Sequence, residues 1–249
     1  MRLLLATQNR KKVREFTELL TPLGFTLLTP ADVGGLPEVA EDQPTFAGNA
    51  AKKAASAARA HGLLSLADDS GLEVEHLGGA PGVRSARYAG EPSDDARNNA
   101  KLLAELAQVP DERRGARFVC ALALAQPNGT IELAVEDVAR GRILHAPRGD
   151  GDFGYDPLFL FTEPGFPQTG RSFAELNGQE KAAVSHRGRA LRGLVERLRE
   201  TICSASRGGE GAGERGITFG DSSVIRKDER EGPRATWAET SGPDVFLPL

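Results

Sequence analysis

At 249 residues, with 39% hydrophobic and 27% charged side chains, the chain has an ordinary globular composition and enough material for a sizeable core. A formal net charge of −4 excludes a broad basic surface for nucleic acid but leaves room for a local pocket that takes a small anion. Two cysteines exclude a disulfide framework and fit a reducing cytoplasm; the run Leu3-Leu4-Leu5 is too short for a signal peptide or a membrane span.

Residues 3–6 read as a buried strand. Residues 11–20 follow as an amphipathic helix with Val13, Phe16, Leu19 and Leu20 on one face. A second strand is predicted at 25–28. Thr45 has the character of an N-cap for an alanine-rich helix reaching about Ala60, and Ser93, followed by Asp94 and Asp95, opens a helix carrying Leu102, Leu103 and Leu106. Residues 116–125, with Cys120 as a core thiol, and 131–138 read as a hairpin around Pro127-Asn128-Gly129. A short strand is predicted at 158–161. The last helix, 187–202, places Ala190, Leu191, Leu194 and Leu198 on its apolar side. Interleaved helices and strands predict an α/β protein built on a mixed central sheet. From Ser204 onward the chain is rich in Gly, Ser, Arg and Glu without apolar periodicity. One domain over 1–203 and a disordered tail over 204–249 are therefore expected.

Chemistry concentrates in four places. Ala67-Asp68-Asp69-Ser70-Gly71 sets two carboxylates and a hydroxyl between apolar Leu66 and Leu72, where two strands are expected to meet at a polar turn. Carboxylates at a strand end suit a hard cation such as Mg2+, although the same residues also make a common surface turn. Thr7, Gln8, Asn9, Arg10, Lys11 and Lys12 lie at the entry to the first helix. Free N–H groups and the dipole there suit phosphate, with a capped, solvated helix start as the simpler reading. In Gly149-Asp150-Gly151-Asp152-Phe153-Gly154-Tyr155-Asp156-Pro157, glycines permit close backbone approach, Phe153 can stack on a base, and Asp156 can accept from a ring N–H. Lys181, followed by Ser185-His186-Arg187, offers a point charge for phosphate and donors for a carbonyl oxygen. His61, His76 and His145 stand in no such company.

Together these segments closely resemble the inosine triphosphate pyrophosphatase family, the dITP/XTP pyrophosphatases of bacteria. The match runs from about Arg2 to Ile202. It takes in Thr7-x-Asn9-x-x-Lys12, Thr45-Phe46-x-x-Asn49-Ala50, the Asp68-Asp69 segment, Gly78 to Arg87, Phe153-Gly154-Tyr155-Asp156-Pro157, and Glu180-Lys181 with Ser185-His186-Arg187. The resemblance implies an elongated fold of two lobes around a nucleotide cleft, a homodimer, and Mg2+-dependent hydrolysis of deaminated purine triphosphates to monophosphate and pyrophosphate. It implies that Asp69 activates water and binds the metal, with Asp68 and Glu41 as further acids around the ion. Thr7 to Lys12, Ser70 and Lys181 would hold phosphates or sugar, and Phe153 to Asp156, His186 and Arg187 the base.

The chain departs from the family pattern in a few places. Ala40 and Gly48 stand where many members carry glutamate, Asp152 replaces a frequent glycine, and Val138 and Ala139 stand near a missing tryptophan. A catalytically silent nucleotide-binding regulatory protein is the alternative; membrane and nucleic-acid partners are not expected.

Overall fold

The computed structural model describes residues 1–207 except Asp152. Most of the expected tail, 208–249, therefore lies outside the described residues. Strand β1 (Arg2–Leu5) leads into α1 (Arg10–Leu20), β2 (Thr26–Leu28), α2 (Phe46–His61) and the long β3 (Ser65–Val74). Helix α3 (Asp95–Glu105) precedes the hairpin β4 (Gly115–Ala125) and β5 (Ile131–Ile143), then β6 (Phe159–Phe161), α4 (Gly178–Val184) and α5 (His186–Arg207).

The six strands form one mixed sheet in the order β2-β1-β3-β4-β5-β6, with β1 parallel to β2 and β3 and every other pairing antiparallel. The mixed α/β class is as expected. Period-two alternation sorts the faces. Leu4, Ala67, Val119, Ala121 and Ala123 pack with the alanines of α2. Leu3, Leu5, Leu66, Cys120, Leu122 and Leu124 pack with Phe16 and Leu20 of α1 and Ala190, Leu191 and Leu194 of α5. Farther along the same strands a separate cluster takes over. It joins Leu72, Val74 and Phe118 to Leu102 and Leu106 of α3 and to Phe159, Phe161 and Phe173. The acids of β3 lie where the first two clusters hand over to the third.

Three expectations need correction. Asp68-Asp69-Ser70-Gly71 is no turn: β3 runs unbroken through it, paired with β4 from Ser65↔Ala125 to Val74↔Ala116. Full backbone pairing, with cations supplied by distant helices, overrides the local turn composition. Helix α3 is capped by Asp94 rather than Ser93, the Asp94 carboxylate accepting from the Arg97 N–H. Helix α5 reaches Arg207, five residues past the expected helix end at Ile202. Thr45 caps α2 as expected, accepting from the Gly48 N–H at 3.1 Å. Cys120 is a buried free thiol. No helix among the described residues is long and apolar enough to cross a membrane.

Candidate active site

Two features of the sheet build the site. Strand β1 pairs with β3 only at Ser65 and Leu66 and then stops, so the Thr7–Asn9 turn leaves the sheet beside Asp68. The carboxyl end of a parallel strand is where open α/β sheets take ligands. Alternation along β3 then sends neighbouring side chains to opposite faces. Asp68 and Ser70 follow Leu66 toward α1 and α5, while Asp69 follows Ala67 toward α2.

On the α2 side, Asp69 accepts from Asn49 Nδ2 at 3.2 Å and pairs with Lys53 Nζ at 2.9 Å. Asn49 and Lys53 are four residues apart and so share a helix face. Lys53 also meets Glu41 at 3.0 Å, and Glu41 is held from its other side by Arg87 at 3.2 Å. Burial raises the Asp69 pKa, and Glu41 adds to the rise; Lys53 and Asn49 work against it without cancelling it.

On the other face, Asp68 is fully buried and paired with Lys12 Nζ at 2.8 Å, and Arg187 Nε lies 3.6 Å away. Burial alone would raise this carboxyl, yet the two cations hold it at about 2. Arg187 also donates to Glu15 at 2.8 Å and to Ser70 Oγ at 3.0 Å. The acids read together from the sequence are therefore parted: Glu41 and Asp69 converge on one ammonium, while Asp68 belongs to an ion network on the opposite face. Among the described residues no three His, Cys, Asp or Glu side chains form a preformed metal cage. Mg2+ rarely needs one, being held by one or two carboxylates plus substrate phosphates. The donor chemistry of exposed Glu41 and of Asp69, buried but not sealed (side chain 12% exposed) and already converging with it on a cation, fits that mode; Asp68, enclosed by Lys12 and Arg187, does not.

Asn9 caps α1, its Oδ1 accepting from the Lys12 N–H at 3.3 Å, and Thr7 Oγ1 accepts from the Asn9 N–H at 3.2 Å. Gln8 is exposed. Arg10 and Lys11 open the helix, but their side chains lie outside the described set.

The third group gathers on the far cluster. Lys181 pairs with the buried Asp156, and its ammonium lies 5.1 Å from the Phe153 ring centroid. Burial raises the Asp156 pKa against the pull of Lys181. Tyr155 is buried and donates to Ser85 O at 2.8 Å. Gly154 has φ +55°, a left-handed conformation natural to glycine. His186 stacks on Phe118 at 4.8 Å, and its Nδ1 is buried without a hydrogen-bond partner. Burial, with Arg187 and Lys181 adding to it, drives the His186 pKa well below the usual imidazole value, so the ring is neutral. A neutral imidazole keeps one donor and one acceptor.

Sequence reasoning did not single out Lys53 or Glu15. The i, i+4 pair Asn49/Lys53 inside an alanine-rich helix was the available signal for the first. Glu15, on a solvated stretch of α1, gave none.

Fold and site together are those of a Ham1-family protein, and the chain belongs to that family, whose model matches residues 3–197. It is similar to proteins named dITP/XTP pyrophosphatase. That of Desulforamulus reducens is 52% identical over 198 residues, covering 80% of this chain and 96% of its own length. That of Thermus thermophilus is 52% identical over 200 residues, covering 80% and 93%. Among solved structures, a HAM1 protein from Coxiella burnetii superposes with TM-score 0.73 at 40% identity, covering 80% of this chain and 99% of its own. A nucleoside-triphosphatase / dITP/XTP pyrophosphatase from Mycobacterium abscessus gives 0.65 at 45%, covering 80% and 100%.

Proposed function

We propose that this protein hydrolyses deaminated purine nucleoside triphosphates, dITP, XTP and ITP, to the monophosphate and pyrophosphate, clearing them from the cytoplasmic nucleotide pool. The observation that carries the reading is the Asp69 carboxylate, held by Asn49 and Lys53 beside Glu41 in a chain about half identical to dITP/XTP pyrophosphatases. The nucleotide lies in a cleft between two lobes, one built on each end of the long strands. The working unit is a homodimer.

Asp69 accepts the proton of the attacking water; its raised pKa makes it a better base than an ordinary aspartate. Asn49 and Lys53 fix the carboxylate, and Asp69 and Glu41 are the residues that would hold Mg2+. When bound, that ion offsets charge on the phosphate oxygens. Lys12 and Lys181 supply further positive charge to the phosphates, exchanging Asp68 and Asp156 for substrate oxygens. Thr7, Gln8, Asn9 and Ser70 line the phosphate and sugar end, with the backbone of Arg10 and Lys11 at the helix entry. Phe153 stacks on the base, and the neutral His186 offers a donor to its 6-oxo group. Adenine presents an amino group there, setting donor against donor and leaving buried groups unpaired. Arg187, next to His186 and bound to Glu15 and Ser70, lines the base end of the cleft with that histidine.

The test is pyrophosphate release across a panel of standard and deaminated triphosphates with Mg2+. Selective turnover of dITP, XTP and ITP is expected. Nucleotide binding without any pyrophosphate release would instead favour a silent binding protein.

A further inference from the structure

Helix α3 stands outside the constellation just described, yet it reaches into it. Its first turn carries Asp95, and one turn later comes Asn99. Residues four apart lie one above the other on a helix face. Both polar side chains close on the peptide groups of a single residue. Asp95 Oδ2 accepts from the Gly154 N–H at 2.8 Å, and Asn99 Nδ2 donates to the Gly154 carbonyl at 2.9 Å. Gly154 follows Phe153 directly and precedes Tyr155 and Asp156.

The same helix is fixed to the catalytic strand. Asn98 is buried; its Oδ1 accepts from the Ala89 N–H at 2.7 Å and its Nδ2 donates to Ala86 O at 3.0 Å. Ala86 lies in the Gly82–Arg87 turn and Ala89 just beyond it, and Ser85 ties that turn to β3 by accepting from the Leu72 N–H at 2.8 Å. The chain of contacts therefore runs from β3 through the turn and α3 to the loop that carries Phe153. Gly154 itself, left-handed and without a side chain, has few other means of fixing its orientation.

We propose that Asp95 and Asn99 are positioning residues for base recognition: they clamp Gly154 so that Phe153 and Asp156 meet the purine in register with Asp69. The proposal rests on the reading of the site given above. Neither residue touches the nucleotide, so the effect falls on how well a base is held and chosen rather than on the chemical step.

The test compares Asp95→Ala, Asp95→Asn and Asn99→Asp with the parent protein on dITP and dATP. Asp95→Ala removes the acceptor, Asp95→Asn keeps one, and Asn99→Asp sets an acceptor against the Gly154 carbonyl. Loss of one such bond corresponds to about three- to tenfold in affinity. Asp95→Ala and Asn99→Asp are expected to raise KM for dITP by that factor and to lower the dITP-over-dATP preference, with kcat changed less than twofold. Asp95→Asn should recover most of the loss. Thermal unfolding of each variant controls for the helix. Unchanged KM and preference, or a fall in kcat alone, would overturn the clamp. Loss of thermal stability with KM and preference intact would do the same. A parent protein that shows no preference for dITP would overturn the functional reading and the clamp with it, whereas a selective parent with unaffected variants sinks the clamp alone.

Discussion

At Asp68, Lys12 and Arg187 more than offset a burial that would otherwise favour the neutral acid; at Asp69, burial prevails over Lys53 and Asn49. The two neighbours therefore do different work. Asp69→Asn keeps the shape but lacks both charge and basicity, so kcat should fall by roughly 10²–10⁴-fold, the usual scale for a positioned base, with KM changed far less. Near-normal turnover at saturating dITP and Mg2+ would refute the assignment. Because the Asp69 pKa is raised in the free protein, before Mg2+ and substrate are bound, the acid limb of kcat/KM, which reports the free enzyme, should lie above the ordinary aspartate value of 3.8. Activity falls as pH drops through that limb and Asp69 takes up its proton. Asp68 works in the opposite sense. Its folded pKa of about 2 lies below the ordinary 3.8, so its ion pairs stabilise the fold fully above the ordinary value and cease to do so as pH falls toward 2. The difference corresponds to about 2 kcal/mol. Denaturant titrations between about pH 5 and pH 2 should show that slope in the parent protein and a shallower one in Asp68→Asn. Equal slopes would mean that Lys12 and Arg187 do not hold the carboxylate charged.

At the scale of elements, β3 is the part of the architecture with the least tolerance. A Cβ on Gly71 would lie 2.3 Å from Ser85 Oγ, 2.8 Å from Gly82 O and 2.9 Å from Phe46 Cε1, so the strand, the Gly82–Arg87 turn and the start of α2 meet over a bare backbone. Gly71→Ala should destabilise the protein by about 1–3 kcal/mol through overpacking and reduce activity by shifting the segment that carries Asp69. Urea denaturation measures the first effect, and a variant as stable as the parent would show that Ser85 and Phe46 yield freely. This strand is also where sequence reasoning fell short. Asp-Asp-Ser-Gly has turn composition over four residues, and nothing local reveals that Lys12, Lys53 and Arg187, on three different helices, neutralise it. Helices α1, α2 and α5 were legible because an apolar stripe needs only something to pack on, and Thr45 announced its own cap. The far end of β5, through Arg140, Gly141 and Arg142, was not legible: polar side chains hid a ladder paired with β4 on one side and β6 on the other. The motif residues of the site were found one by one. Their division between two faces of the sheet follows from alternation, and it became visible only once β3 was known to be a strand.

For the molecule as a whole, the question is how much of the chain the work requires. Every side chain placed at the site lies between Thr7 and Arg187, the family match ends at residue 197, and relatives about half identical cover 80% of the chain while using 93–96% of their own length. Among the described side chains, the three apolar clusters are built from residues up to Leu198. Residues 204–249 show no apolar periodicity in sequence, so they offer no stripe that would have to be buried for the body to fold. A protein ending at Arg207 should therefore keep kcat, KM for dITP and thermal midpoint within error of the full chain. Trp237, the only tryptophan, reports on the same point from inside the removed segment: in the full chain its emission should resemble indole in water and stay unchanged when nucleotide is added. A blue-shifted emission that responds to nucleotide, together with a raised KM after truncation, would instead mean that the segment packs against the cleft. The catalytic unit would then have to be redrawn to include it.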